Sequence, residues 1–231
     1  MLISNFPEGA SFFDYYFDLD ANDWRKFNLQ VEVENARSIY NRMIPSQKRI
    51  ENLFVPSVDN IRHSHVLECL VTRQASSLVI GPGCSGRSAL LRHLLFDSVH
   101  EFSKKLQTEH ITLSKHSTCT TFKANVESLL EYRQDKETDT RCYKPPRENK
   151  IICYIQDVHM AQSDKFGDQG ALEAMRDYLT TKSWVSTRKL KIRAIEDVCF
   201  FGDMATNHPE TEHVSGRLLH HFNLIVLSDF D

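Results

Sequence analysis

Apolar residues fall into two rhythms along the chain. Short unbroken runs at Ser77-Leu78-Val79-Ile80, Ile151 to Ile155, Val198 to Phe201 and Phe222 to Leu227 predict buried strands, and His110 to Ser114 predicts another. Between these runs the spacing changes to every third or fourth residue. Leu91, Leu94, Leu95, Val99, Phe102 and Leu106 predict a helix of about five turns with one buried face. Phe122, Val126, Leu129 and Leu130 predict a second helix, Leu172 to Leu179 a third, and a short one is expected to end near His220. Strands that alternate with helices predict a mainly parallel sheet covered on both faces, an α/β fold.

The flanks and interruptions of this pattern set the domain plan. Residues 1–50 read as a lead-in segment, with a candidate aromatic strand from Phe12 to Phe17 and a charged stretch around Trp24. Residues 51–231 read as one α/β domain. It opens near Pro56 on a helix with Ser57 or Asp59 as cap, and with Ile61, Leu67, Leu70 and Val71 on its apolar side. The polar residues 133–150, with Pro145-Pro146, predict a surface excursion, and the segment holding Trp184 predicts another. No internal repeat is visible.

Composition narrows the function classes. The 231 residues are 41% hydrophobic and 26% charged, as in ordinary globular proteins. A formal charge of −3 gives no bulk field for nucleic acid or an acidic membrane. No run approaches the ~20 apolar residues of a membrane helix, and the N-terminus lacks the pattern of a secretory signal. Cys69, Cys84, Cys119, Cys142, Cys153 and Cys199 are scattered without a CxxC pair, so reduced thiols in the cytoplasm are expected, with neither a disulfide frame nor a zinc site.

The chemistry lies where the first core strand ends. Gly81-Pro82-Gly83-Cys84-Ser85-Gly86-Arg87-Ser88 fits G-x-x-x-x-G-[KR]-S, one residue from the strict P-loop pattern. Glycines let backbone N–H groups curl around phosphate oxygens, and a helix starting near Ser88 would add its positive end. The Ser88 hydroxyl is the candidate Mg²⁺ ligand. A plain strand-to-helix turn would also use glycine, but the strand before and the amphipathic helix after favour the phosphate loop. Arg87 stands where Lys is usual, and its planar fork is expected to reach phosphate only from a displaced position.

A second apolar strand, Ile151-Ile152-Cys153-Tyr154-Ile155, ends in Gln156-Asp157, at the place where P-loop ATPases carry two acids. Gln156 replaces the metal-binding carboxylate and supplies oxygen without charge, which predicts weakened Mg²⁺ affinity. Asp157 reads either as a group acting on water or as a cap for the following loop. Both substitutions bear on phosphoryl transfer, so hydrolysis should suffer more than binding.

A family resemblance joins these pieces. Phe54 to Arg62 (FVPSVDNIR) resembles the VPTxDTxR opening of a dynein heavy-chain ring module, and Ile155 to Met160 (IQDVHM) is similar to its IDDLNMP stretch. Tyr143-Lys144-Pro145-Pro146 resembles its YGPP turn. Phe166 to Gln169 followed by Leu172 to Arg176 resembles YGxQ…ELLRQ, and Arg217 to Asn223 resembles RFxRHFN. Phe13 to Phe17 with Trp24 resembles the lead into the third AAA+ module of an axonemal-type heavy chain.

The resemblance covers nearly the whole chain in order. It implies an AAA+ large subdomain with a five-stranded sheet in the order 5-1-4-3-2, ATP or ADP binding, and a ring that drives movement on microtubules. It also implies that Arg217 is a trans-acting finger toward a neighbouring module, against the simpler reading of a surface arginine at a helix end. His220 stands where the family carries a second Arg. The family's glycine-rich run before this helix is replaced by Met204 to Glu212. With Asp231 the last residue, no helical lid, stalk or direct microtubule contact is expected of this chain. Neighbouring AAA+ modules or dynein subunits are the implied partners, and the cytoskeleton or ciliary axoneme the implied location. Three functions compete: a non-hydrolysing structural module or truncated product, a slow ATPase active when assembled with neighbours, and an interaction protein reusing the fold.

Overall fold

The computed structural model describes residues 6–7, 11–18, 20–42, 54–98, 105–134, 141–186, 191–206 and 213–228. They form two compact units, residues 1–69 and 70–231.

In the first unit, β1 (Tyr15–Asp18) and β2 (Asp23–Lys26) form an antiparallel hairpin, followed by α1 (Leu29–Arg42). A single turn of 3-10 helix, Phe12–Asp14, precedes β1, so the aromatic run is strand only in its second half. Trp24 gathers the edges of Phe6, Phe12 and Phe17 at 5.1, 5.9 and 5.3 Å between ring centres, which is how so small a unit gains apolar contact. α2 (Val58–Thr72) is capped by Ser57, whose Oγ accepts the Asn60 N–H at 3.2 Å. Arg62 on α2 binds Asp59 at 2.8 Å and Asp14 at 2.6 Å. His65 packs on Tyr16 and Phe27.

The second unit is built on a five-stranded, all-parallel sheet. Its strands are β3 (Ser77–Gly81), β4 (Leu106–Thr112), β7 (Lys150–Gln156), β10 (Val198–Ala205) and β11 (Asn223–Val226). They stand in the order β11-β3-β10-β7-β4. Counted along the chain this is 5-1-4-3-2, the order the resemblance implies. The three inner strands β3, β10 and β7 are almost wholly buried, as strands covered on both faces must be. One face carries Leu78, Ile155 and Phe200 against Phe122 and Val126 of α4 (Cys119–Ser128), and Met175 and Tyr178 of α5 (Gly170–Thr181). α3 (Arg87–Arg92) packs on β3 and β10. Gly202 is needed where β10 runs closest to its neighbours: a Cβ there would lie 3.1 Å from both Leu78 and Val158.

Two expectations are corrected. The helix after the glycine loop is regular only over Arg87–Arg92 and continues as a wider π-helical turn over His93–Ser98. Leu106, expected on that helix, begins β4, whose start is therefore earlier than His110. Val99 and Phe102 lie outside the described residues. The polar segments expected as surface excursions form a second sheet, in the order β5-β6-β9-β8. It comprises β5 (Glu131–Gln134), β6 (Arg141–Lys144), β8 (Ser183–Val185) and β9 (Ile192–Ile195). Cys142, Tyr143, Trp184 and Ile195 are its buried residues. Trp184 is anchored by a buried carboxylate outside the sheet: Glu127 on α4 accepts the Trp184 indole N–H at 3.1 Å and the Ser186 hydroxyl at 3.4 Å.

Trp184→Phe would remove a donor from a carboxylate that stays buried, so urea unfolding should show a loss of about 2 kcal/mol. The first unit should weaken in mild acid. Burial lowers the pKa of both His63 and His65 from 6.5, so below that pH the unfolded chain takes up protons that the folded one resists. Urea midpoints should fall from pH 7.5 to pH 5.5, and His65→Phe should flatten that slope.

Candidate functional site

The carboxyl ends of β3, β7 and β10 meet at the glycine loop, the place where open parallel sheets present their chemistry. Burial of all five β3 residues brings the chain to Gly81 with no freedom to drift. The loop then turns with Cys84 and Gly86 both in the left-handed region, φ 64° and 80°. Gly86 is the N-cap of α3 and accepts the Leu90 N–H at 2.9 Å. Cβ atoms built on Gly83 or Gly86 would meet nothing within 4 Å, so the space beside the loop at these two residues is open. Ser85 closes the turn, its Oγ donating to the Pro82 carbonyl at 2.9 Å.

Arg87 folds back on the loop. Its Nη1 donates to the carbonyl oxygens of Gly81 and Pro82, and the residue is buried. Its Nε has no hydrogen-bond partner and lies 4.0 Å from Oδ2 of Asp203. Asp203, on β10, is 0% exposed. Its Oδ2 accepts the Ser88 hydroxyl at 2.5 Å. Its Oδ1 accepts the Tyr154 hydroxyl at 3.2 Å and the Asp157 backbone N–H at 3.1 Å. A buried carboxylate needs such a set of donors to remain charged. Burial, reinforced by the Asp203 charge, raises the Tyr154 phenol well above its ordinary value and keeps it a donor.

Gln156 joins a different group. Its Oε1 accepts from Arg92 Nη2 at 3.0 Å and lies 2.9 Å from His110 Nε2. The His110 ring stacks on Tyr154 at 5.1 Å. Asp157 is half-buried with a left-handed backbone, φ 59°, and opens the short turn Val158–Met160. That turn is tied to the end of β10 by His159, whose buried Nδ1 accepts the Ala205 N–H at 3.1 Å.

The structure thus brings Arg87, Ser88 and the Asp157 backbone to one carboxylate, and places Gln156 with Arg92 and His110 beside it. Arg217 is not part of this group. It sits on α6 (Gly216–Leu219), 69% exposed, with its Nη2 3.7 Å from Glu173 on α5. Of the two expected Mg²⁺ ligands, Ser88 donates its proton to Asp203 and keeps the lone pairs of its oxygen, whereas the uncharged Gln156 oxygen already accepts from Arg92 and faces His110. Among the described residues no group of three or more His, Cys, Asp or Glu could hold a metal.

Asp203, Tyr154, Arg92 and His110 are the residues that sequence reasoning missed. For Asp203 a signal existed: one acid inside the apolar run Val198 to Ala205. The strand was expected to end at Phe201, which left Asp203 outside it. Burial also pushes the Cys199 thiol on this strand up to about 12, so it is an inert packing group.

A family model described as the P-loop containing dynein motor region matches residues 42–230. Mouse dynein axonemal heavy chain 2 is 24% identical over 221 residues, covering 96% of this chain and 5% of the relative. Mouse dynein axonemal heavy chain 3 is 22% identical over 227 residues, covering 98% and 5%. Human dynein axonemal heavy chain 12 is 23% identical over 231 residues, covering 97% and 7%. The chain therefore spans only about a twentieth of the length of these relatives.

Tyr154→Phe deletes one of the donors to Asp203 without changing the shape of the site. It should lower stability by about 1–2 kcal/mol in thermal or urea unfolding.

Proposed function

The chain belongs to the P-loop dynein motor regions, and from that membership we propose that it is a ring module of axonemal heavy-chain type whose nucleotide binding is weak and whose hydrolysis is lost. By its motifs it is the third such module. The observation that carries this reading is that Gln156, which stands where the metal's carboxylate is expected, is held by Arg92 and His110, while Arg87 is folded back on the carbonyls of the loop. Magnesium supplies charge neutralisation to a transferring phosphoryl group, and Gln156 brings no charge to replace it. What survives is the backbone of Gly81, Gly83, Cys84, Ser85 and Gly86, which can still face an anion's oxygens.

In this reading the module has a structural role in a motor that works on microtubules. Its partners are neighbouring AAA+ modules or other dynein subunits, and its place is the cytoskeleton of the ciliary axoneme. A formal charge of −3 gives no bulk attraction for nucleic acid. No helix among the described residues is long and apolar enough to cross a membrane.

A second reading is favoured by one observation. Arg217 is 69% exposed, as a finger acting on a neighbour's nucleotide must be. With Asp157 acting on water, an assembled ring would then turn over ATP slowly.

Phosphate release from ATP tests the first reading. The 231-residue chain should show no turnover above the uncatalysed background. Steady hydrolysis that disappears in Ser88→Ala would sink the first reading.

A further inference from the structure

We propose that Asp203 is a built-in anion of the phosphate loop, and that a nucleoside diphosphate or triphosphate binds only by displacing its carboxylate from Ser88 and from the field of Arg87. This deepens the reading above and rests on it: the loop is taken to be of phosphate-binding origin, and Asp203 governs access to it.

The Asp203 side chain is isolated from water. Asp203 is 0% exposed, and an ionised carboxylate withdrawn from water persists only where donors and opposite charge surround it. Its two oxygens accept three hydrogen bonds, from Ser88, Tyr154 and the Asp157 N–H. Arg87 supplies the opposite charge at 4.0 Å. Two of these four groups, Arg87 and Ser88, belong to the segment whose glycine skeleton is shaped for phosphate oxygens. An internal acid has therefore taken the donors that an incoming phosphate would use.

Arg87 completes the closure. One of its nitrogens binds the Gly81 and Pro82 carbonyls, and its Nε is the one polar side-chain atom of this cluster that is buried without a hydrogen-bond partner. The guanidinium thus stays folded between the loop's first turn and Asp203. A phosphate entering the open side of the loop meets a second negative charge held close to its own binding groups, and like charges brought together in a buried site cost several kcal/mol. Asp203, more than Arg87 or Gln156, then sets the affinity. The chemistry discriminates on phosphate charge and is indifferent to the base.

Binding of a fluorescent ADP analogue, with unlabelled ADP and adenosine as competitors, tests this on the full chain. The variants are Asp203→Asn, Asp203→Ala and the double Arg87→Lys/Gln156→Asp, each checked for folding by circular dichroism. Asp203→Asn or Asp203→Ala should bind ADP at least about tenfold tighter than the native chain, with adenosine unchanged. The double variant, which keeps Asp203, should gain less. Folded Asp203 variants with native affinity, or a gain shared equally by adenosine, would overturn the proposal. A larger gain in the double variant would also overturn it, while leaving the reading of a damaged phosphate loop intact. Tight ADP binding by the native chain, with ATP turnover, would overturn that reading itself. If neither Asp203 variant folds, hydrogen exchange of the Asp157 amide in the native chain decides. Millimolar pyrophosphate should speed it by freeing the amide from Oδ1, and unchanged exchange would refute the displacement.

Discussion

The requirement that a charge withdrawn from water be satisfied from within organises the centre of this domain. Asp203 meets it with groups drawn from three elements: Ser88 and Arg87 from the loop and α3, Tyr154 from β7, and the Asp157 N–H from the turn that follows β7. None of these contacts is local in sequence. Each depends on the parallel register that sets Gly202 beside Ile155 and Asp203 beside Val79. The register in turn depends on Gly202, because a side chain at that position would press on Leu78 and Val158. Sheet order, loop shape and charge satisfaction are therefore one problem with one solution, the mutual support expected of a natural fold.

Much of this was legible in the chain before folding. The apolar runs at 77–80 and 151–155 mark the inner strands because a strand covered on both faces cannot alternate. The glycine spacing marks the loop, and the family motifs imply the 5-1-4-3-2 order. The second sheet was not legible. Its strands are only three or four residues long, and they owe their existence to pairing with partners as distant as that of Cys142, which pairs with Ala194. The break in the helix after Arg92 was hidden for a related reason. Leu94 and Leu95 are buried in the π-helical turn as they would be in an α-helix, so apolar spacing could not report the change of winding.

The site was legible in its parts and not in its connections. Arg87 and Gln156 announced themselves as departures from a pattern, and the structure gives each a protein partner. Who those partners are could not be read from the chain, because Asp203 lies 115 residues from Ser88 and His110 lies 46 residues from Gln156. A buried acid in an apolar strand is a strong hint of function or of a compensating network, but it names neither the donors nor the cation.

The exchange of lysine for arginine at position 87 takes a different meaning beside Asp203. A lysine carries its charge at the tip of a flexible stem, and to neutralise Asp203 it would have to abandon the loop carbonyls. The guanidinium spreads its donors over three nitrogens in a fixed plane, so Nη1 can hold Gly81 and Pro82 while Nε remains turned toward the carboxylate. One side chain thus holds both the loop carbonyls and the neighbourhood of the carboxylate. A ligand that enters must first break contacts the protein already makes, and only the surplus over that cost remains as affinity. Arginine at 87 and aspartate at 203 are in this sense a single unit of the site, one on α3 and the other on β10.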